Sequence, residues 1–324
     1  MSLDLVKESW SGKVLEVTLG ATQEEGGTRS SSYTIGGETC LPFLQSEGEM
    51  PHRPLVAVEV WDVEPTDWPA PLAEAIADVA GDPVQWATKA VEEWGADMVF
   101  LKLRSAHPEA GGADPEEVAG RAKKVAEAVS VPLGLLGSGD SDVDNKLLPA
   151  VAEAVRGENC LIGVVTEDNY KTITASAVVN GHNLICQSPI DVNICKQLNI
   201  LVNEVGMDLD RIVIDPTTGG LGYGIEYTYS IMERVRLGAL SGDRMLAMPM
   251  INFIGQEAWR AKEAKETEAD FPEWGDHNTR ALLWEILTAT TFLQAGSDLL
   301  VLRHPEAVKP VKSHIDQLMS KEDA

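Results

Sequence analysis

The feature that most constrains the fold is a series of short apolar segments that recurs along the chain. Eight such segments can be read from the sequence, at 55–61, 98–103, 131–136, 160–165, 184–187, 211–214, 245–251 and 299–302. Their nearly continuous hydrophobicity is typical of strands buried on both faces of a parallel sheet. Because a helical pattern follows each segment, the sequence predicts eight strand–helix units, the number that closes a (β/α)8 barrel.

Helix signals between the segments support this architecture. Three aspartates precede helical patterns and are expected to act as N-caps, namely Asp82, Asp114 and Asp191, and a further helical pattern follows the loop near Asp276. A dinucleotide-binding open sheet is the competing fold, but its glycine fingerprint is missing from the first strand–helix turn at 61–69. We therefore predict a single α/β fold, a parallel TIM barrel over residues 55–324.

Residues 1–54 precede the first barrel strand and are assigned to a separate extension. Two β-prone runs within it, at 14–20 and 31–39, predict a β-hairpin. Pro132 and Pro249 fall inside proposed central strands, where each requires a bulge or a strand start. The charged stretch 258–275 is interpreted as a solvated helix and loop.

Charge and cysteine usage limit the classes of partner. Acidic residues outnumber basic residues by 51 to 26, and the resulting charge of −25 disfavours nucleic acid and anionic membrane surfaces. The four cysteines have neither metal nor cluster spacing and lie in apolar segments, so we expect buried, reduced thiols in a cytoplasmic protein. The sequence has neither the pattern of a secretory signal nor an apolar run approaching 18 residues. We therefore expect no segment that targets or spans a membrane.

Candidate functional residues follow the ends of the predicted strands, because barrel enzymes gather their working groups at that rim. The candidates are Ser138, Gly139, Asp140, Thr166, Ser188, Pro189, Asp215, Thr217, Thr218, Gly219, Gly220, Tyr223 and Asn252. The glycine-rich run 214–224 suits close approach by a flat ligand or a partner's main chain, and a tight turn is the alternative. Asp215 is interpreted either as a ligand anchor or as a cap of its own turn.

Other chemistry has weaker signals. Neither a dinucleotide fingerprint nor a Walker motif is present in the sequence, and no histidine pair has metal-ligand spacing. For Lys102 an ion pair is favoured over Schiff-base chemistry, and for His304 a hydrogen-bonding role is favoured over acid–base catalysis. No catalytic residue is assigned.

Four longer segments carry a family resemblance. Residues 34–43, 151–171, 188–201 and 214–240 resemble the small subunit of the corrinoid iron–sulfur protein, also called the delta subunit of acetyl-CoA decarbonylase/synthase. The resemblance implies a TIM barrel that pairs with a large subunit, which carries the iron–sulfur cluster and a corrinoid-binding domain. It also implies that this chain holds no cluster of its own and shares the corrinoid (cobalamin) with that partner.

The resemblance further implies a role in the reductive acetyl-CoA (Wood–Ljungdahl) pathway of carbon fixation. A methyl group passes from methyltetrahydrofolate, through a methyltransferase, to the corrinoid cobalt and then to acetyl-CoA synthase. On this basis the loops 137–140, 188–193 and 215–224 are hypothesised to cover the corrinoid. A pterin-binding methyltransferase that grips its pterin with Asp215 and Asn252 is the alternative function, and an assembly scaffold without ligand contact is another.

Overall fold

The computed structural model describes residues 6–320, which form an eight-stranded parallel barrel preceded by a two-stranded hairpin. The hairpin strands are β1 (Glu16–Leu19) and β2 (Tyr33–Gly36). The barrel strands are β3 (Leu55–Trp61), β4 (Met98–Lys102), β5 (Leu133–Leu136), β6 (Leu161–Val165), β7 (Asn183–Gln187), β8 (Ile212–Asp215), β9 (Ile251–Asn252) and β10 (Leu299–Leu302). Both the hairpin and the eight barrel strands were predicted from the sequence.

The barrel closes between its sixth and seventh strands. The hydrogen-bonded order is β8-β7-β6-β5-β4-β3-β10-β9, and every neighbouring pair is parallel. A parallel bridge between Ile214 and Met250 joins the two ends of this sheet, and the Ile214 amide donates to the Pro249 carbonyl at 2.9 Å. The chain therefore has the predicted TIM barrel fold.

Helices connect the strands around the outside of the barrel. They are α1 (Ala70–Ala75), α2 (Pro83–Glu92), α3 (Pro115–Ala128), α4 (Ser141–Ala154), α5 (Tyr170–Asn180), α6 (Val192–Val205), α7 (Ile225–Leu240), α8 (Ile254–Ala258), α9 (Lys262–Lys265), α10 (His277–Gln294) and α11 (Pro305–Met319). The three predicted aspartate caps accept a backbone N–H from the first turn of their helix, and Asp276 does the same for α10. None of the helices in the described part of the chain is long and apolar enough to cross a membrane.

The cap of α2 gives a direct test of these local signals. The Asp82 carboxylate accepts from the amides of Val84 and Gln85 at 2.9 and 3.2 Å. We expect Asp82→Ala to lower the free energy of unfolding by about 1 kcal/mol, because two amides of the first turn lose their partner. Urea denaturation measures this. Asp208→Ala is the matched control, since Asp208 makes no capping bond, and an equal loss in both variants would contradict the assignment.

Two prolines shorten the strands that the apolar pattern predicts. Pro132 lies just before β5, which starts at Leu133, so this proline stands at a strand start. The predicted strand at 245–251 is wrong over most of its length, because Arg244–Leu246 forms a 3-10 turn and β9 contains only Ile251 and Asn252. Pro249 has no N–H to give to a sheet, although its carbonyl still accepts one bond from β8.

The charged stretch 258–275 is only partly solvated. It contains the short helix α9 and a 3-10 turn at Pro272–Trp274, with most charged side chains exposed. The prediction of a solvated segment is wrong for Trp259 and Ala264, which are 1% and 0% exposed and pack in an apolar cluster. The Trp259 indole N–H donates to the buried Glu285 carboxylate at 2.8 Å and fixes the segment to α10.

The hairpin covers the end of the barrel at which the strands begin. Val17, Leu19 and Ile35 are buried in the same interior cluster as the barrel residues Phe100 and Leu161. Two side-chain amides of the barrel also hold the hairpin. Asn159, which precedes β6, and Asn183, which begins β7, both donate to the Thr18 carbonyl at 2.9 Å. The N-terminal extension is therefore packed and hydrogen-bonded to the barrel.

A buried charge cluster joins the extension to the same end of the barrel. The Arg236 guanidinium on α7 lies 2.7 Å from Glu38 of the extension and 3.1 Å from Asp298, which precedes β10. Burial opposes the charge of Glu38, but Arg236 outweighs it and holds the pKa of Glu38 below its ordinary value. Burial raises the pKa of Asp298 well above its ordinary value. The arginine thus offsets two carboxylates that would otherwise repel each other inside the protein.

The four cysteines are free and buried, as the sequence predicted. Burial raises the pKa of the Cys160 and Cys195 thiols to about 12. Neutral buried thiols of this kind pack as small apolar side chains and are poor nucleophiles.

Candidate functional site

The predicted candidate residues gather at the rim where the barrel strands end. Asp215 is the last residue of β8 and Asn252 is the last residue of β9, while Thr166 directly follows β6. The loops at 137–140 and 188–193 follow β5 and β7. The candidates therefore lie at the carboxyl end of the barrel, opposite the hairpin.

A cavity of about 250 Å³ opens at this rim between the loops after the second to fifth barrel strands and the start of α8. It is lined by Lys102, Leu136, Gly137, Gly139, Ser141, Asp144, Val164, Thr166, Asn169, Gln187, Phe253 and Gln256. Among the predicted candidates, Gly139 and Thr166 form part of this wall. Its floor and sides combine one cation, several amides and a few apolar side chains.

The loop at 137–140 is held from inside by the Asp144 carboxylate. This carboxylate accepts from the Ser138 amide at 2.6 Å, from the Ser138 hydroxyl at 2.7 Å and from the Gly139 amide at 3.2 Å. Asp140 caps α4 by accepting from the amides of Asp142 and Val143. Ser138 and Asp140 therefore position the loop, and Gly139, at φ +100°, presents bare backbone to the cavity.

Asp215 caps the turn that follows its strand. One carboxylate oxygen accepts from the Thr217 amide at 2.9 Å, and the other accepts from the Gln187 side-chain amide at 2.6 Å. Of the two interpretations of Asp215, turn capping is therefore observed. Gln187 also lines the cavity, together with Gly137 and Gly139. Its hydrogen bond to Asp215 therefore links the cavity wall to the loop at 215–224.

The threonines of the glycine-rich loop hold its backbone in place. The Thr217 hydroxyl donates to the Ser188 carbonyl at 2.6 Å, and Thr217 itself has a positive φ of 65°. The Thr218 hydroxyl accepts from the Phe253 amide at 2.9 Å and from the Asn252 side-chain amide at 3.4 Å. Both hydroxyls are thus used within the chain, in contrast to the expectation that they face a ligand.

The remaining candidates differ in how they meet solvent. Gly219 is buried, and a Cβ there would lie 2.5 Å from the Gly224 carbonyl oxygen, so only glycine fits. A Cβ on Gly220 would meet its nearest neighbour, the Glu257 carbonyl oxygen, at 3.5 Å, an ordinary contact. Tyr223 is 53% exposed and Pro189 is also exposed, whereas Ser188 beside it is fully buried.

Three polar atoms at the rim are buried without a hydrogen-bond partner among residues 6–320. They are the Thr166 hydroxyl oxygen, the Ser188 hydroxyl oxygen and the Asn252 amide oxygen. Most buried polar atoms in folded proteins are hydrogen-bonded, so these three oxygens are free to accept a bond from a ligand, a water molecule or a partner chain. Thr166 lines the cavity directly, and Asn252 lies on the strand beside it.

The sequence pattern did not identify most of the cavity wall. Lys102 was expected in an ion pair, yet within the described chain no carboxylate oxygen lies within 4.0 Å of its ammonium, and burial lowers its pKa. Gln187 had a detectable signal, because it is a polar residue that ends the apolar segment 184–187. Asp144 and Gln256 had no such signal in the sequence. Each lies on a helix, and only the folded structure shows that the helix borders the cavity.

His304, the histidine at the end of β10, has a structural role. Its Nδ1 accepts from the Glu306 amide at 3.1 Å at the start of α11, and its ring stacks on Trp259 with centroids 5.6 Å apart. Burial lowers its pKa, so the ring is neutral at physiological pH. Across residues 6–320, no group of three or more histidine, cysteine, aspartate or glutamate side chains is arranged to hold a metal ion.

The burial of Asp215 predicts a pH dependence of stability. Burial raises its pKa from 3.8 to about 6, so the folded chain binds this proton more tightly than the unfolded chain does. The contribution of Asp215 to stability should therefore fall as pH rises from about 4 to 6, by up to about 3 kcal/mol.

Asp215→Asn keeps the size and shape of the side chain but cannot ionise. Relative to this variant, the wild-type chain should lose stability between pH 4 and pH 6, as measured by urea denaturation at each pH. Asp67→Asn, at an exposed carboxylate, is the control and should show no such trend. Parallel pH profiles for the wild type and Asp215→Asn would show that the buried carboxyl does not titrate in this range.

Comparisons with known proteins agree with this geometry. Residues 16–316 match the model of the family described as CO dehydrogenase/acetyl-CoA synthase delta subunit. The acetyl-CoA decarbonylase/synthase complex subunit delta of Archaeoglobus fulgidus is 37% identical over 324 residues, covering 97% of this chain and 70% of that protein. The corresponding subunit of Methanopyrus kandleri is 38% identical over 309 residues, covering 95% and 76%.

Solved structures resemble the chain in fold. A dihydropteroate synthase from Xanthomonas albilineans superposes with a TM-score of 0.56 at 14% identity, covering 87% of this chain and all of that one. The 7,8-dihydropteroate synthase of Vibrio fischeri gives a TM-score of 0.56 at 13% identity, with coverage of 86% and 98%. At this level of identity the similarity establishes the barrel architecture and carries no information on ligands.

Proposed function

The chain belongs to the CO dehydrogenase/acetyl-CoA synthase delta subunit family, and from this membership we propose that it is the small subunit of a heterodimeric corrinoid iron–sulfur protein. In this role it covers a corrinoid that a large subunit carries. The methyl group comes from methyltetrahydrofolate, through a separate methyltransferase, and goes to acetyl-CoA synthase in the cytoplasmic reductive acetyl-CoA pathway. The iron–sulfur cluster belongs to the large subunit.

The observation that carries this proposal is the combination of bare backbone and unpaired polar atoms at one rim. Gly139 is exposed and presents no side chain, so a broad planar group can come close to the main chain there. Thr166, Ser188 and Asn252 each offer a buried oxygen without a partner among the described residues. A corrin is a flat macrocycle edged with amide groups, which these oxygens and the cavity amides fit.

The candidate residues divide into two roles under this proposal. Ser138, Asp140, Thr217, Thr218 and Gly219 hold the loops in shape through bonds within the chain. Gly220 is buried in the glycine-rich loop. The residues that would meet the corrinoid are those that leave an atom or a surface available, namely Gly139, Thr166, Ser188, Pro189, Tyr223 and Asn252. Asp215 acts on them indirectly, through Gln187 and Thr217.

When bound, the corrinoid supplies the cobalt that accepts and delivers the methyl group. The contribution of this chain is to bind the ring's edge and to keep water away from the reduced metal. Leu136, Val164 and Phe253 suit the second task, because these side chains offer water no hydrogen-bonding partner.

A partner surface adjoins the rim. Tyr223 and Tyr227 are 53% and 63% exposed at the start of α7, and Leu283 and Leu287 are 48% and 50% exposed on α10. The Trp284 indole N–H donates to the Leu221 carbonyl at 3.3 Å and links this patch to the glycine-rich loop. Exposed apolar groups next to a candidate site are typical of protein contacts, and a stable heterodimer buries at least about 1,200 Å².

Co-expression tests the proposal. The chain is purified alone and together with its large subunit, and visible absorbance reports bound corrinoid. We expect corrinoid only in the co-purified pair. A chain that binds corrinoid stoichiometrically without the large subunit, or a stable pair that holds none under reducing conditions, would contradict a shared site.

A pterin-binding methyltransferase remains the second candidate function. Asp215 and Asn252 end adjacent barrel strands, and the Asn252 oxygen has no partner in the described chain. Both Asp215 oxygens already accept hydrogen bonds from Gln187 and Thr217, however, which disfavours a pterin grip in this arrangement. If the isolated chain bound methyltetrahydrofolate and methylated free cob(I)alamin catalytically, this second function would replace the first.

A further inference from the structure

Lys102 is an unusual cation within the rim cavity. It ends β4 and lines the cavity, and no carboxylate oxygen of residues 6–320 lies within 4.0 Å of its ammonium. The two nearby acids are both engaged elsewhere. Glu59 pairs with Arg303 at 2.7 Å, and Asp144 accepts three bonds from the 137–140 loop. The lysine therefore offers ammonium donors to whatever occupies the cavity.

Hydrogen-bond acceptors surround the other side of the cavity. Gln187 donates one amide N–H to Asp215 and Gln256 donates one to Glu257, so each keeps its carbonyl oxygen and a second N–H available. The Thr166 hydroxyl has no partner in the described chain. The wall of this space of about 250 Å³ thus combines one cationic donor with neutral groups that can accept.

This arrangement distinguishes between possible ligand groups. A carboxylate could pair with Lys102, but it would lie in a region already made negative by Asp144, and it has no donor for the carbonyl oxygens of Gln187 and Gln256. A primary carboxamide presents one acceptor and two donors, so its oxygen matches Lys102 and its nitrogen matches the acceptors. The apolar side chains of Leu136 and Val164 suit a short aliphatic stem.

We propose that the rim cavity is a carboxamide pocket, in which Lys102 donates to the carbonyl oxygen of one amide arm at the edge of the corrin while Gln187 and Thr166 contact its nitrogen. This inference rests on the proposed function, since it names the part of the corrinoid that the barrel grips. It makes Lys102 a binding residue, and the charge-assisted bond would anchor the ring against the rim.

The test uses the heterodimer and follows corrinoid loss by visible absorbance after dilution into a corrinoid-scavenging protein. Lys102→Met preserves the length of the aliphatic stem and removes the donor, and we expect loss to be about tenfold faster than in the wild type. Lys146→Met is the matched control, because Lys146 is an exposed lysine on α4, the helix that begins next to this loop, and it should lose corrinoid at the wild-type rate.

A second arm identifies the amide arm itself. Corrinoids in which a single peripheral amide has been hydrolysed to a carboxylate are loaded in turn into the wild-type and Lys102→Met heterodimers. For one isomer the ratio of the two loss rates should differ from the ratio shared by the others, since only that isomer changes the group that meets Lys102.

The outcomes separate the two levels of inference. A wild-type heterodimer that holds no corrinoid defeats the proposed function itself. If the wild type holds corrinoid but Lys102→Met loses it at the same rate as Lys146→Met, the carboxamide pocket is wrong while the shared site stands. An identical rate ratio for every isomer likewise overturns the assignment of an amide arm to this cavity.

Discussion

Replacing Arg236 with methionine should lower the free energy of unfolding by about 3 to 5 kcal/mol. The substitution leaves Glu38 and Asp298 buried beside each other without the cation that lies 2.7 and 3.1 Å from them. It also removes the bond to the Gly296 carbonyl at 2.7 Å. Urea denaturation of the chain measures the loss, which is large because neither carboxylate can reach water.

Arg234→Met is the matched control, because Arg234 lies on the same helix and is exposed. It should change stability by less than about 0.5 kcal/mol. Adding Asp298→Asn to Arg236→Met should restore part of the loss, since only one buried carboxylate then remains. Equal effects of Arg234→Met and Arg236→Met would show that the buried ion cluster does not stabilise this fold.

Filling the rim cavity should abolish most corrinoid retention. Thr166→Trp places a large indole where Thr166 now lines about 250 Å³ of space, and we expect the heterodimer to retain corrinoid at least about tenfold less well. The substitution breaks no side-chain hydrogen bond within the described chain, because the Thr166 hydroxyl has no partner there. Visible absorbance of the purified pair after gel filtration measures retention.

Thr166→Ser retains the hydroxyl with a smaller side chain and should behave as the wild type. The elution volume of each variant checks that the two subunits still associate, so corrinoid loss can be separated from loss of assembly. If Thr166→Trp forms the pair and keeps its corrinoid, the cavity does not face the ring, and the assembly-scaffold interpretation gains support.

The barrel could be predicted because its signals are local. Each strand is an apolar run, and each aspartate cap lies next to the helix that it starts, so neighbouring residues suffice to identify both. The seventh barrel strand could not be placed in this way. Its apolar run at 245–251 continues through Pro249, but only Ile251 and Asn252 form the strand, and the rest is placed by the turn at Arg244.

The site could be located but not resolved. Strand ends identified the rim, yet the roles of individual hydroxyls depend on residues that are distant in sequence, as with Thr217 and the Ser188 carbonyl. The same reason explains why the Thr217 and Thr218 hydroxyls were expected to face a ligand. Lys102 was expected in an ion pair because nothing local shows that Glu59 is already paired with Arg303.

The segments that carry the family resemblance serve both ends of the barrel. Residues 188–201 and 214–240 include the rim loops, whereas Glu38, within 34–43, lies in the charge cluster at the opposite end. Asn159, within 151–171, holds the hairpin strand through the Thr18 carbonyl. The family resemblance in these segments therefore includes residues that stabilise the fold as well as residues of the candidate site.

The attachment of the hairpin has a consequence for biosynthesis. The extension precedes the barrel in the chain, but Glu38 meets its counter-ion only when Arg236 has been made, about 200 residues later. At roughly 5 to 20 residues per second, this partner arrives some 10 to 40 s after Glu38. Asn159 and Asn183, which bind the hairpin strand, are made earlier. The partners of the hairpin are thus available before the charge cluster can form, and formation of that cluster is expected to be among the last steps of maturation.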